Sequence, residues 1–137
     1  GAGFLITVAR PLRLSAPHPG VLLIAVLAFA LHAYEHLYMS AGNPSLGFLV
    51  WSMAPYCVAF AVSLFPATRA PVLAGAALAL AFDLWGHYSV FANPQGSTAA
   101  LALLFIPLWS TIIIIPLATL LAWVIGQRRT GHAGNAP

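Results

Sequence analysis

Charged side chains are nearly missing from this chain. Asp, Glu, Lys and Arg make up 5% of its 137 residues, where a soluble domain averages about a quarter, so the composition excludes an ordinary water-facing globular surface. A single cysteine, Cys57, excludes an internal disulfide, and a free cysteine within an apolar segment is ordinarily just a small apolar residue. No nucleophile sits beside a base in a recognisable motif, and no nucleotide-binding motif occurs. The net charge of +3 and pI near 9.6 invite a nucleic-acid reading. Five arginines scattered at segment ends form no continuous basic stripe, however, and nucleic acid is excluded as a partner.

What fills the chain instead is hydrocarbon: 61% of residues are hydrophobic and the mean hydropathy is +0.94. Four apolar segments, residues 21–39, 46–65, 72–91 and 98–125, are each near the roughly 20 residues that a helix needs to cross a bilayer. Asn43-Pro44, Pro66 with Pro71, and Asn93-Pro94-Gln95-Gly96 punctuate them as turns. Pro107 and Pro116 predict a tilt or kink in the last. The expected fold is an all-α integral membrane protein, a four-helix transmembrane bundle over residues 20–125. An interfacial or cytoplasmic segment (1–19) precedes it and a cytoplasmic tail (126–137) follows.

Arg10 and Arg13 precede the first span, Arg69 lies between the second and third, and Arg128 and Arg129 follow the fourth. With an even number of spans all five fall on one side, which the positive-inside rule makes cytoplasmic. Both termini are therefore expected inside, in a bacterial inner membrane. Phe4, Leu5, Ile6, Val8, Leu12 and Leu14 around two arginines suit a segment lying along the inner headgroups. No cleavable signal is expected, because the first apolar run precedes its arginines.

The two halves resemble each other. With an offset of 51, Leu27-Ala28-Phe29-Ala30-Leu31-His32-Ala33-Tyr34-Glu35-His36 lies over Leu78-Ala79-Leu80-Ala81-Phe82-Asp83-Leu84-Trp85-Gly86-His87. Small adjustments then match Asn43-Pro44 to Asn93-Pro94, and Pro55 to Pro107. Leu and Ala matches carry little weight. The recurring order of polar residue, aromatic, His, Asn-Pro and mid-helix Pro predicts a tandem repeat of two two-helix units, with the first and third spans facing each other.

Both acids of the chain, Glu35 and Asp83, fall inside spans and within four residues of a histidine. An ionised carboxylate in hydrocarbon costs at least a few kcal/mol, so a partner or a purpose is expected. His32 with His36, and Asp83 with His87, are pairs four apart on one helix face. Each pair starts about 18 Å from the inner boundary at 1.5 Å per residue, which places the group in the outer half of the membrane. His32, His36, Asp83 and His87 form a candidate ligand set for Cu, Zn or Fe. Glu35 is expected to support them from behind as an imidazole acceptor, with a place as a fifth ligand as the alternative, and Tyr34 and Trp85 around the site.

Other chemistries use the same residues. His36 and His87 on facing helices suit a bis-His haem. Asp, Glu and His in spans also mark proton or ion relays, although the inner half offers only Ser63, Thr68, Thr111 and Thr119 as weak acceptors. A purely structural role, tying helices together, is the third possibility. His18 and His132 lie outside the spans and are assigned no role.

Two short motifs bear on the cluster. His32-Ala33-Tyr34-Glu35-His36 resembles the H-x-x-E-H of inverted zinc peptidases, whose large soluble domain has no room in this chain. Asp83-x-x-x-His87 resembles the Asp-x-x-x-His of a membrane copper site in the C subunit of particulate methane and ammonia monooxygenases. A further histidine of that family falls at Ala100 here, and the resemblance covers five residues, so no family is assigned. The expected function is a small membrane protein binding a transition metal or haem near the outer face, as a non-catalytic subunit of a larger electron-transport complex, with the bilayer and other membrane subunits as partners. A scaffold or assembly subunit, and an ion or metal transporter, are the alternatives.

Overall fold

The computed structural model describes residues 11–39, 46–92 and 101–134, with the side chains of Tyr38 and Met39 left out. The described residues form four helices and no strand. α1 spans Pro19–Tyr34 and runs on as a π turn, Glu35–Met39; α2 is Leu46–Ser63. α3 is Val72–His87, followed by a second π turn, Tyr88–Ala92. α4 is Ala102–Ala133, with a π stretch at Ser110–Ile114.

Local chemistry explains the ends and the interruptions. His18 caps α1, its Nδ1 accepting the Gly20 N–H at 3.0 Å, and Pro19 occupies the first turn, where its missing N–H costs nothing. In α4, Pro107 and Pro116 each lack the donor for the carbonyl four residues back and crowd it with the ring. The wider π turns lie between these two prolines, the usual way a helix absorbs such a defect.

α3 sits at the centre and packs against all three other helices. Its inward residues are small, Gly75, Ala76 and Ala79 among them, and they bring backbones close together. A Cβ on Gly75 would stand 3.0 Å from both the Cα and the carbonyl oxygen of Ile115, so α4 can approach only because that atom is absent. The core joins Val21, Ala28, Tyr56, Ala59, Val72 and Ile115 to these small residues.

The outward faces are as apolar as the core. Leu23, Val26, Leu37, Val50, Leu121 and many more large side chains are exposed, a surface suited to lipid and not to water. Three helical stretches, Pro19–Leu37, Leu46–Ser63 and Ala102–Ala133, are long and apolar enough to cross a membrane. α3, expected as a further span, is not among them: Asp83, Trp85 and His87 lower the hydropathy of its second half.

One end of the molecule gathers the described arginines. Ser15 N donates to the Leu64 carbonyl at 2.6 Å and Arg69 Nε to the Ala16 carbonyl at 2.8 Å, which ties the segment before α1, carrying Arg13, to the α2–α3 turn. Ala67 and Pro71 of that turn share a cavity with Gly126 and Gln127, next to Arg128 and Arg129. α4 itself continues through both arginines to Ala133, into the segment expected as a tail from residue 126. Arg10, the apolar run Phe4 to Val8, and the Asn43-Pro44 and Asn93-Pro94-Gln95-Gly96 turns lie outside the described residues.

Candidate metal centre

On α1, His32 and Glu35 are three residues apart and therefore share a face; on α3, Asp83 and His87 are four apart and do the same. The two faces meet. His32 Nε2 lies 3.1 Å from Asp83 Oδ2, and His87 Nε2 lies 2.5 Å from Glu35 Oε2. The contact between His32 and Asp83 joins the two positions that the offset of 51 superposes. His32 Nδ1 is 3.5 Å from Glu35 Oε2, and the two imidazole rings are 5.2 Å apart, centre to centre. Side-chain exposure is 3% for His32, 9% for Glu35 and 11% for His87, so these charges and dipoles meet with little water.

Hydrogen-bond bookkeeping fixes which atoms offer lone pairs. The second nitrogen of His87, Nδ1, donates to the backbone carbonyl of Asp83 at 2.8 Å. A carbonyl only accepts, so a neutral His87 presents its lone pair at Nε2, toward Glu35. The Asp83 carboxylate takes a hydrogen bond from the Tyr56 hydroxyl on the same oxygen that faces His32. A neutral His32 therefore donates from Nε2 and carries its lone pair on Nδ1, which is buried and makes no hydrogen bond.

With both rings neutral, two imidazole lone pairs and a carboxylate oxygen converge. His32, Glu35 and His87 each offer one ligand atom, all within 4.8 Å of one another, and the group could hold a metal ion. Three acceptors turned toward one buried point repel unless a positive centre lies among them, and a divalent cation or a shared proton supplies it.

The chain matches no family model, no curated protein and no solved structure.

Of the residues expected from sequence, His32, His87, Asp83 and Glu35 come together at the α1–α3 interface. Asp83 is placed behind His32, on the far nitrogen, and Glu35 is placed among the converging atoms. His36 is partly buried and is not one of the three that converge. Tyr34 and Trp85 are exposed, 56% and 61%, and Trp85 stacks on Phe82 at 5.7 Å. His18 serves as the cap of α1, and His132 Nδ1 donates to the Arg128 carbonyl on the exposed end of α4.

Tyr56 was missed in the sequence. It is 1% exposed in α2 and its hydroxyl reaches Asp83 on α3. The signal was available: a tyrosine deep inside an apolar helix, away from the headgroup level that Tyr and Trp prefer, must find a partner for its hydroxyl.

Proposed function

We propose that this protein is a small four-span membrane protein that binds one first-row transition-metal ion between α1 and α3, through His32 Nδ1, Glu35 Oε2 and His87 Nε2. The observation that carries the reading is the buried His32 Nδ1, which makes no hydrogen bond and faces the Glu35 and His87 atoms. A polar atom buried without a partner costs about 1–3 kcal/mol, and a metal ion supplies the missing partner. Two imidazoles and a carboxylate suit Zn, Fe or Cu, and three protein ligands leave further coordination positions open.

Glu35 is a ligand in this reading and Asp83 orients His32, the reverse of the roles that spacing alone suggested. Asp83 Oδ2 already receives Tyr56 and His32, whereas Glu35 Oε2 faces both lone pairs. An ion suits the geometry better than haem. His87 Nε2 is turned onto Glu35 and the ring of His32 stands beside it, so a macrocycle has no slot on that nitrogen.

The arginines gathered at one end support a placement in a bacterial inner membrane with both termini in the cytoplasm. The His32 to Asp83 contact, between positions paired by the self-alignment, supports a tandem repeat with α1 and α3 as equivalent inner helices. We assign the protein to a larger membrane redox assembly as a metal-carrying subunit. Metal analysis of the purified protein tests the central point: about one Zn, Fe or Cu per chain, lost in His32→Ala and His87→Ala, supports the reading, and no bound metal in protein purified without chelators overturns it.

A scaffold role is the second reading, because the Tyr56–Asp83–His32 and Glu35–His87 bonds already tie α1, α2 and α3 together without an ion. It predicts metal-free protein whose helix association weakens when these bonds are removed.

A further inference from the structure

We infer that Tyr56 and Asp83 form a positioning pair that presets His32 for metal: Tyr56, from α2, anchors the Asp83 carboxylate, and the carboxylate holds the His32 ring with its Nδ1 lone pair aimed at Glu35 and His87. The inference rests on the proposed metal site for its consequence and on hydrogen-bond geometry for its substance.

The two nitrogens of a neutral imidazole are opposite in role, one a donor and one an acceptor. For His32 the choice decides whether the site can bind. With the proton on Nδ1, the ring would donate toward Glu35 Oε2, 3.5 Å away, and turn an N–H, not a lone pair, to the metal position. With the proton on Nε2, the lone pair faces the site. Asp83 decides between them, because a carboxylate accepts and Nε2 is 3.1 Å from its Oδ2. A carboxylate on a short side chain can rotate, however, and something must keep that oxygen in place.

Tyr56 does this. Its hydroxyl donates to the same Oδ2, its ring lies 6.4 Å from the His32 ring, and the whole residue is 1% exposed. Its ring belongs to the core that includes Val21, Ala28 and Ala59, so packing as well as the hydrogen bond holds the hydroxyl in place. Three helices therefore build the centre: α1 and α3 supply the ligands, and α2 sets the orientation of one of them. Carboxylates or carbonyls behind a metal-bound histidine play this part generally.

The test compares wild type, Tyr56→Phe and Asp83→Asn in detergent or nanodiscs, with matching helical content and elution volume as the folding control. Nitrogen-15 spectra of histidine-labelled, metal-free protein report the tautomer of His32 directly. We expect the Nε2–H form in wild type, a mixture in Tyr56→Phe, and a shift toward Nδ1–H in Asp83→Asn, whose amide can donate to Nε2. Co(II) titration should then show affinity falling by about 10-fold to 100-fold in Asp83→Asn, and less in Tyr56→Phe, with stoichiometry unchanged. An Nδ1–H tautomer in wild type, or a Tyr56→Phe protein identical to wild type in both tautomer and affinity, overturns the inference. If the tautomers shift as expected but no variant, wild type included, binds Co(II), the positioning pair stands and the metal reading fails.

Discussion

Glu35 Oε2 stands 2.5 Å from His87 Nε2 across the α1–α3 interface, while the other nitrogen of that ring is committed to the Asp83 carbonyl. A carboxylate oxygen and an imidazole lone pair at that separation need a positive centre between them. Glu35→Gln isolates its nature. The glutamine amide can donate to His87 Nε2 and keep the helices joined, but it removes the anionic oxygen. We expect thermal stability close to wild type and metal affinity lower by about tenfold or more, read by elemental analysis and Co(II) titration. Unchanged metal content would remove Glu35 from the ligand set.

The histidines separate into two groups. His32→Ala and His87→Ala each delete a converging atom and should empty the site, whereas His132→Ala, on the exposed end of α4, should leave occupancy at the wild-type level. His36→Ala discriminates between the spacing of the sequence and the geometry of the fold. Spacing gives it a ligand's place, yet its atoms are not among the three that converge, so occupancy should survive. Metal-to-protein ratios across the four variants decide the matter.

The helices were legible because composition alone demands them: uniformly apolar stretches near the length of a span, separated by Asn-Pro and Pro signals, leave little else to build. α3 was legible as a helix, but its own polar residues keep it from matching the other three in hydropathy. The end of α4 was less legible: the small and polar residues after Gly126 suit a tail, whereas the helix carries on to Ala133. In the site, His32, Asp83 and His87 lie at one interface; Asp83 and His87 are the pair four apart, whereas His36, four from His32, is not among the three converging residues. Spacing could not say which carboxylate faces the ligand atoms, because that depends on which imidazole nitrogen each acid meets across the interface. Tyr56 was hidden further, being a contribution from α2 to a pair of helices that the repeat pattern had singled out.

Removing Asp83 should cost stability because of what it strands. In Asp83→Leu the Tyr56 hydroxyl and His32 Nε2 lose their buried acceptor, at about 1–3 kcal/mol for each donor left unpaired. The loss should shrink in Asp83→Leu/Tyr56→Phe, where one stranded donor is gone. A double-mutant cycle on unfolding in mixed micelles measures this coupling, for which we expect about 1 kcal/mol or more. Strictly additive losses would mean that the hydroxyl and the carboxylate do not depend on each other.

Glycine substitutions probe the packing that holds α3 and α4 together and so keeps the site closed. A Cβ at Gly75 meets the Ile115 Cα, the Ile115 carbonyl oxygen and Thr119 Oγ1, all at 3.0 Å, and two of these are backbone atoms that cannot turn aside. At Gly86, beside His87, the added atom runs into Ile106 Cδ1, the end of a side chain and not backbone. A Cβ at Gly126 would meet no atom within 4 Å beyond its own stretch of helix. The order of damage should follow: Gly75→Ala worst, at about 1–3 kcal/mol of overpacking; Gly86→Ala milder; and Gly126→Ala neutral or favourable by up to about 1 kcal/mol through helix propensity. Thermal unfolding in detergent ranks the three, and Co(II) affinity adds a second axis. Because α3 carries His87 and Asp83, forcing it away from α4 at Gly75 should disturb the site as well as the fold, while Gly126→Ala should leave binding untouched. A Gly75→Ala protein as stable as wild type would show that α3 and α4 are not packed as closely as this interface requires.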